Sequence, residues 1–264
     1  MKIKNRICIV LIAINALCAC NAGSDGNGIV FDNLSVEKTT PITNEAGAPS
    51  CHVKLELACA KEDNNQLAGA INETLAQELF YMEGLTLKQA ADSFANDYSR
   101  NYVRNFATLY REDRNDAQKR AWYEYHYYMN SKTQAGKKGI IVYTTTIDYY
   151  EGGMHGINQK LTFNFDEKSG KVLKLSDVFS TGFEQCLNDL LLQKLEEEVG
   201  AKDIQDLHIK GYLYSMDMFA PENFIMGEDG ITFIYNPYEI ASYSMGMVEL
   251  ELKYDDLEEI LTKE

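Results

Sequence analysis

Apolar residues recur every three or four positions in three stretches of the chain, which is the spacing of one helix face. Residues 64–82 form the first stretch. A second helix is predicted from Thr86, because Gln89 follows three residues later and completes a capping box. A third helix is predicted over 183–199. The residues expected to face the core are Leu67, Ile71, Leu75 and Leu79; then Leu87, Ala91, Phe94, Tyr98, Tyr102, Phe106 and Leu109; then Phe183, Cys186, Leu187, Leu190, Leu191 and Leu195.

Elsewhere the apolar positions alternate with polar ones, as they do in half-buried strands. In 121–129, Tyr125 and Tyr127 fall on one side of the predicted strand, and His126 and Tyr128 fall on the other. The fold class predicted is α+β, an antiparallel β-sheet packed with helices, and two fused α/β subdomains are one arrangement of it. Strands are predicted over 51–60, 121–129, 139–150, 157–166, 172–173, 223–226, 231–235 and 247–254.

The amino terminus has the pattern of a secretion leader. Three basic residues precede an apolar run over 7–17, which is too short to span a bilayer as a lasting helix. A leucine three residues before Cys20, with a small residue directly before it, resembles the lipobox of bacterial lipoproteins. That resemblance implies cleavage before Cys20 and a lipid on its thiol. An ordinary signal peptide cut at Ala19 or Ala22, or an uncleaved anchor, is the alternative.

The leader helps to predict both the domain boundaries of the chain and its location in the cell. We expect a signal peptide over 1–19, a flexible tether over 20–48, and two subdomains over 49–150 and 151–264. The tether is rich in Gly, Asn, Ser and Thr. The protein is expected in the cell envelope, lipid-anchored at an outer membrane or a periplasmic face. Asn21 is not the aspartate that commonly retains lipoproteins at an inner membrane.

The charge of the chain limits its partners. The formal net charge is −15, and it becomes −18 when the three basic residues of the leader are removed. So acidic a surface argues against binding to nucleic acid and against direct docking on anionic lipid. It would suit a basic partner, although solubility alone also explains it. Six basic residues cluster after position 99, and they form either a solvated helix face or a ligand-binding patch: Arg100, Arg104, Arg111, Arg114, Lys119 and Arg120.

Three cysteines remain outside the leader, an odd number that does not make a disulfide framework. Cys51 and Cys59 lie on one face of a predicted strand, about 26 Å apart if it is extended, which is beyond disulfide reach. We expect them and Cys186 to be small buried hydrophobes, with a bridge from Cys186 to one of the others as the alternative. Because the chain has no CxxC pair and no HxxxH pair, no metal site and no cofactor are predicted.

The sharpest local motif is YYEGGMHG over 149–156. Its glycines allow positive φ and close backbone approach. His155 is a candidate ligand or acid–base group beside Asp148 or Glu151, and Tyr149 and Tyr150 are candidate binding residues. The alternative is a hairpin corner in which the imidazole bonds to the backbone.

A second motif, NPYEIASYSMG, occupies 236–246. Tyr238 and Tyr243 would form an aromatic loop for a glycan or a protein, because tyrosine buries a large area and keeps a hydroxyl exposed. The alternative is a loop whose tyrosines fill the core. Acidic pairs near turns could suggest glycoside hydrolysis, but the chain has 40 acidic residues and such pairs arise by chance.

Both motifs, with the strand LTFNFDEKSGKVLKLSDVF and the segment GITFIYNPYEIASYSMGMVELELKYDDL, resemble a bacterial domain family of unknown function. The best understood member of that family is the extracytoplasmic part of RsiV, a lysozyme-sensing anti-sigma factor. The residues before Tyr149 are similar to a companion domain that also precedes some peptidoglycan deacetylases. The resemblance spans roughly 46–262. It implies an α+β body that binds rather than catalyses.

The function expected is therefore that of a lipid-anchored envelope protein with a non-catalytic binding domain. Its partners would be membrane lipid through Cys20 and either a basic, lysozyme-like protein or a peptidoglycan glycan. The catalytic alternative is an enzyme acting on cell-wall polysaccharide, such as a hydrolase, with His155 and a carboxylate in its site. A purely structural envelope lipoprotein is the third hypothesis.

Overall fold

A computed structural model describes residues 28–63, 65–214 and 216–263. In these residues the chain forms a six-stranded sheet, a three-stranded sheet and seven α-helices, which confirms the α+β class. The leader and Cys20 lie outside the described residues, so cleavage and lipidation stay predictions.

The larger sheet has the strand order β1-β2-β3-β4-β5-β6. All neighbouring strands pair antiparallel except β2 and β3, which are parallel. This pair is a parallel exception within the predicted antiparallel sheet, because the helical segment between β2 and β3 returns the chain to the same end of the sheet. The strands are β1 (Phe31–Pro41), β2 (Ser50–Ala60), β3 (Tyr125–Ala135), β4 (Ile140–Tyr150), β5 (Ile157–Asp166) and β6 (Val172–Leu173).

Strand β1 lies inside the predicted tether of 20–48, so that prediction is wrong from Phe31 onwards. It pairs with β2 along its whole length, from Phe31 opposite Ala60 to Pro41 opposite Ser50. Leu34 and Val36 are only half-buried, and the polar Ser35 between them is exposed. A strand at the edge of a sheet can be this polar because its backbone pairs on one side only.

Three helices connect β2 to β3: α1 (Gln66–Phe80), α2 (Leu87–Asp113) and α3 (Ala117–Ala121). The capping box predicted for α2 is present, since Thr86 accepts from the Gln89 amide and Gln89 accepts from the Thr86 amide. The helices and one sheet face enclose the first core. The predicted stripe of α2 fails at Leu109, which is 49 % exposed, while Tyr110 is buried. Buried members of this core include Val53, Leu55, Leu57, Ile71, Leu75, Tyr102, Met129 and Tyr143.

The remaining chain builds a second core around the smaller sheet. That sheet consists of β7 (Phe224–Met226), β8 (Gly230–Tyr235) and β9 (Val248–Lys253), all antiparallel. Four helices accompany it: α4 (Leu175–Val178), α5 (Glu184–Val199), α6 (Ile204–Lys210) and α7 (Tyr254–Leu257). Its buried side chains include Leu187, Leu191, Leu195, Phe224, Phe233, Leu250 and Leu257.

The second core packs on the face of the six-stranded sheet that α1 and α2 leave free. Ile140 and Val142 of β4 belong to this core, whereas Ile141 and Tyr143 belong to the first. The predicted division between residues 150 and 151 falls between β4 and β5, which are paired strands of one sheet. The two cores separate further along the chain, between β6 and α4.

The three cysteines among the described residues, Cys51, Cys59 and Cys186, are free. Cys51 and Cys59 share the extended strand β2, as predicted, with Cys51 buried and Cys59 half-buried. Cys186, expected to be buried, is exposed, and this prediction is wrong. The buried side of α5 is made by Leu187, Leu191 and Leu195, at four-residue steps that leave Cys186 to one side.

Candidate functional site

The loops of the two sequence motifs meet. The loop over 151–156 joins β4 to β5, and the loop over 236–247 joins β8 to β9. The imidazole of His155 stacks on the ring of Tyr243, with 3.9 Å between ring centroids and 12° between planes. The ring of Tyr238 also stacks on Tyr243, with 5.6 Å between ring centroids. Three predicted site residues, His155, Tyr238 and Tyr243, thus form one group, which we call the loop cluster.

Hydrogen bonds hold the loop cluster together and favour one tautomer of the neutral His155 ring. The Tyr243 hydroxyl donates to the Gly156 carbonyl at 2.8 Å. His155 Nδ1 lies 3.0 Å from the same carbonyl, which can only accept, so Nδ1 carries the proton. In the neutral imidazole Nε2 is then an acceptor, and the Tyr238 hydroxyl donates to it across 3.4 Å.

Side-chain amides and a carboxylate anchor the second loop. The Asn236 side chain accepts from the Lys160 amide at 2.7 Å and donates to the Lys160 carbonyl at 3.1 Å. Glu239 accepts from the Asn236 amide at 2.7 Å. Burial raises the pKa of Glu239 above its ordinary value, and this hydrogen bond partly offsets the rise. Asn236 therefore ties the loop of β8 directly to strand β5.

The backbone at Tyr238 is strained, with φ at +76°. A side chain in this left-handed region costs about 1–2 kcal/mol relative to the right-handed region, and glycine would avoid that cost. Tyr238 is nevertheless 59 % exposed, so the core does not need its ring. Tyr81 is also exposed at a positive φ, so the feature that marks Tyr238 as a functional candidate is the contact of its ring and hydroxyl with Tyr243 and His155.

The other two predicted binding residues lie on opposite faces of β4. Tyr149 packs against Tyr127, with centroids 5.8 Å apart, on the side covered by the helices. The Tyr150 hydroxyl donates to the Gly153 carbonyl at 2.9 Å. Among the described residues neither tyrosine has a ring contact with the loop cluster, and only the hydroxyl of Tyr150 bonds to the 151–156 loop.

The carboxylate expected beside His155 bonds to a different histidine. Asp148 Oδ1 lies 2.5 Å from His126 Nε2, and both side chains are half-exposed. The ring of His126 stacks on Tyr128, 4.7 Å between centroids, on the sheet face away from α1 and α2. Sequence analysis placed His126 and Tyr128 on a common side of their strand, but it did not pair His126 with Asp148. That pairing depends on the register of β3 and β4.

Four of the six basic residues between positions 100 and 120 pair with carboxylate or carbonyl groups of the chain itself, as expected of a solvated face. Arg100 pairs with Asp97, Arg114 with Glu45, and Lys119 with Asp113. The guanidinium of Arg120 donates to the carbonyl of Gly47. These contacts favour the solvated interpretation over a ligand-binding patch.

Within 28–63, 65–214 and 216–263, no group of three or more His, Cys, Asp and Glu side chains is placed to hold a metal ion. No helix in those ranges has the length and apolarity that a membrane crossing requires. The loop cluster contains one histidine and two tyrosines, a set that can stack and hydrogen-bond with a partner.

Comparison with known proteins identifies a family for part of the chain. Residues 176–255 match the family described as "Protein of unknown function (DUF3298)". The crystal structure of a DUF3298 member from Bacteroides fragilis NCTC 9343 is similar, with a TM-score of 0.80 and 29 % identity over 89 % of this chain and 95 % of that one. A DUF3298 protein from Pseudomonas aeruginosa PAO1 shares the fold, with a TM-score of 0.57 and 18 % identity over 89 % of this chain and 94 % of that one. No curated protein matches the chain.

Proposed function

We propose that this chain is a lipid-anchored protein of the cell envelope whose body binds a basic, lysozyme-like protein through the loop cluster, without catalysing a reaction. The observation that carries the proposal is the stacking of His155, Tyr238 and Tyr243 at the surface, where two loops distant in sequence meet. Aromatic residues of this kind dominate the energy of many protein interfaces.

Exposure and charge support a protein partner. Met154, beside His155, is 98 % exposed, and with Tyr238 it adds apolar area to the surface of the cluster. The net charge of −15 would attract a basic protein over distances near the Debye length. The resemblance to the lysozyme-binding part of RsiV favours the same class of partner.

The test is capture of hen lysozyme and, separately, of soluble peptidoglycan fragments by the purified chain. We expect saturable binding of lysozyme that weakens with added salt. His155→Ala should weaken it about tenfold, the loss typical of one interface anchor. The matched control is His208→Ala, because His208 is also exposed and lies beside a tyrosine, on helix α6.

Two results would contradict this assignment. If neither lysozyme nor peptidoglycan binds, the ligand class is wrong. If peptidoglycan alone binds and His155→Ala abolishes its binding, the loop cluster recognises a glycan instead of a protein.

Lipid attachment is tested separately. Mass spectrometry of the mature amino terminus should find an acylated Cys20, and Cys20→Ala should release the chain from the membrane fraction. An unmodified terminus beginning elsewhere would remove the anchor from the proposal.

The catalytic alternative is favoured by one specific observation, the His126–Asp148 pair on the open sheet face. A histidine oriented by a carboxylate is the usual arrangement of a general base. Release of soluble fragments from purified cell wall, abolished by His126→Gln and retained by His155→Ala, would establish this alternative in place of binding.

A further inference from the structure

A second concave surface lies between helix α2 and strand β3, beside the first residue of the 151–156 loop. The cavity has a volume of about 300 Å³. Aromatic rings make up much of its lining, and one carboxylate, that of Glu151, reaches it from the loop. The rings belong to Tyr98, Tyr102, Phe106 and Tyr125. We call this surface the α2 cavity.

The rings of the α2 cavity pack on one another and are held in place. Tyr125 lies 5.1 Å from Tyr102 and 5.2 Å from Phe106, measured between ring centroids. The Tyr102 hydroxyl donates to the Tyr123 carbonyl at 2.8 Å, so this ring cannot turn freely. An aromatic wall of this kind is preorganised, and a ligand would not need to order it.

Glycine at position 152 brings the carboxylate to the cavity. Gly152 has φ at +82°, and a Cβ atom there would lie 2.8 Å from the Trp122 carbonyl. The loop therefore approaches β3 more closely than a residue with a side chain allows. Glu151, which directly precedes Gly152, is positioned by this approach.

The carboxylate of Glu151 has no ion-pair partner among the described residues. The Tyr98 hydroxyl is buried and has no hydrogen-bond partner within normal distance and angle. Glu151 is nevertheless close enough to influence the pKa of this hydroxyl. Burial and then Glu151 raise the pKa of Tyr98, and burial and then Glu151 raise the pKa of Tyr125 to about 12. The negative charge of Glu151 thus acts on the cavity without a neighbouring cation to balance it.

Two basic residues of α2, Arg100 and Arg104, are close in sequence to the cavity residues but do not line the cavity. Arg100 pairs with Asp97 at 2.6 Å. Arg104 donates to the side-chain oxygen of Asn105, which lies at the rim. The cavity therefore combines aromatic faces, one carboxylate and a buried hydroxyl, and neither arginine is among its lining residues.

We propose that the α2 cavity binds an alkylammonium group, with the cation between the aromatic rings and the Glu151 carboxylate. Aromatic faces attract a cation through their quadrupole, and a carboxylate adds charge where water is partly excluded. The group has two sources with the same chemistry: a lysine side chain of a bound basic protein, or a free amine. The first source rests on the proposed function, and the second does not.

The test is an NMR titration of the full chain, ¹⁵N-labelled and solubilised in neutral detergent, with n-butylammonium chloride. We expect saturable shifts of backbone amides over 98–106 and 151–153, and no such shifts with 1-butanol, which is neutral and of similar size. Glu151→Gln should weaken butylammonium binding about tenfold. Phe106→Leu, which removes one ring and keeps an apolar side chain, should weaken it several-fold. Glu167→Gln is the matched control, because Glu167 is exposed in the turn after β5.

Three results would overturn the cation site. They are equal binding of 1-butanol and butylammonium, unchanged affinity in Glu151→Gln with shifts still at the cavity, and no saturable shift at all. Amide spectra of each variant show whether it is folded. If Glu151→Gln is not folded, Phe106→Leu tests the site in its place.

A competition experiment separates the two sources. If lysozyme displaces butylammonium from the folded chain, the cavity receives a lysine of the partner. If both bind together, the cavity binds a free amine. Glu151-dependent butylammonium binding without capture of lysozyme would contradict the proposed function and still support this site.

Discussion

The two faces of the six-stranded sheet are covered in different ways. On one face, apolar side chains of β2, β3 and β4 pack against α1 and α2. On the other face, the smaller sheet meets β5 through side-chain amides. Asn164, 1 % exposed, donates to the Phe224 carbonyl at 2.7 Å and accepts from the Met226 amide at 2.9 Å. Asn223 reaches back, accepting from the Thr162 amide and donating to the Lys160 carbonyl.

The difference indicates that the two faces contribute to the fold in different ways, one mainly to its stability and the other mainly to its geometry. Apolar packing is non-directional and tolerates many arrangements of similar volume. An amide that bonds to named backbone groups fits one arrangement only, because a shift by one residue would leave those groups buried and unpaired. The helix-covered face is therefore expected to supply most of the stability, and the amide-bonded face to fix how the two sheets and their loops are positioned.

The largest effect should come from the helix-covered face. Leu75 of α1 is fully buried, and Leu75→Ala should lower the free energy of unfolding by about 2–5 kcal/mol, because it leaves a cavity in the first core. Leu109→Ala on α2 is the matched control, and it should cost less than about 0.5 kcal/mol since Leu109 is half-exposed. Urea unfolding of both variants measures the difference. Similar losses in the two would show that α2 packs differently.

The amide-bonded face should respond almost as strongly to a much smaller change. Asn164→Ala removes little apolar contact but leaves the Phe224 carbonyl and the Met226 amide unpaired, at about 2–4 kcal/mol in total. Asn158→Ala, on the exposed part of the same strand, should be near neutral. Hydrogen exchange should also show faster exchange at Met226 in the first variant. An Asn164→Ala protein as stable as the parent would refute the assigned role of this amide.

The loop cluster depends on the amide-bonded face through Asn236, and there binding and stability should separate. Tyr238→Gly removes the backbone strain and adds chain entropy to the unfolded state, so the free energy of unfolding should change by less than about 1 kcal/mol. Lysozyme binding should fall about tenfold. Tyr81→Gly is the control, because Tyr81 has φ at +57° and is 86 % exposed at the end of α1. It should leave binding unchanged, and a joint loss of stability and binding in Tyr238→Gly would indicate a structural tyrosine.

The smallest effect on stability is expected at Asp177, in the segment where the chain passes from the first core to the second. The ammonium of Lys171, and then the amide of Lys174, lower the pKa of Asp177 below its ordinary 3.8. The folded state thus binds this proton less readily than the unfolded state, so the contribution is present above pH 3.8 and lost as pH falls through the lower folded-state pKa. Asp177→Asn should cost less than about 1 kcal/mol at pH 7. The difference from the parent should shrink as pH falls below 3.8, and a difference that stays constant from pH 7 into that acid range would rule out this titration.

Elements with strong periodicity were predictable from the sequence. The steps of four in α1 and α5, and the alternation in β3 and β9, follow from burial of one side of each element. Strand β1 was not predictable in this way, because an edge strand with three half-buried apolar residues among eleven has the composition of a loop. Cys186 was misplaced because helix positions 186 and 187 differ by 100° in direction, and only position 187 continues the buried row.

For the candidate site, the sequence predicted the motifs but not which of their residues meet. His155, Tyr238 and Tyr243 come together because Asn236 bonds to Lys160, a contact between residues 76 positions apart. The rings of Tyr98, Tyr102 and Phe106 were predicted as one helix stripe, and Tyr125 as one side of a strand. That they enclose a cavity beside Glu151 depends on the packing of α2 against β3, and no local pattern encodes it.

The direction of β1 has a consequence for how the body would stand on a membrane. The chain enters the sheet at Phe31, opposite Ala60, whereas the 151–156 loop lies at the other end, where Tyr150 pairs with His126 and Pro41 with Ser50. Eleven residues of strand, about 36 Å, separate the two ends. If Cys20 holds the lipid, the ten residues before Phe31 can extend at most about 36 Å. A connection of that length would keep the Phe31 end of the sheet near the bilayer. His155 and Glu151 would then lie at the opposite end of the sheet, facing away from the membrane.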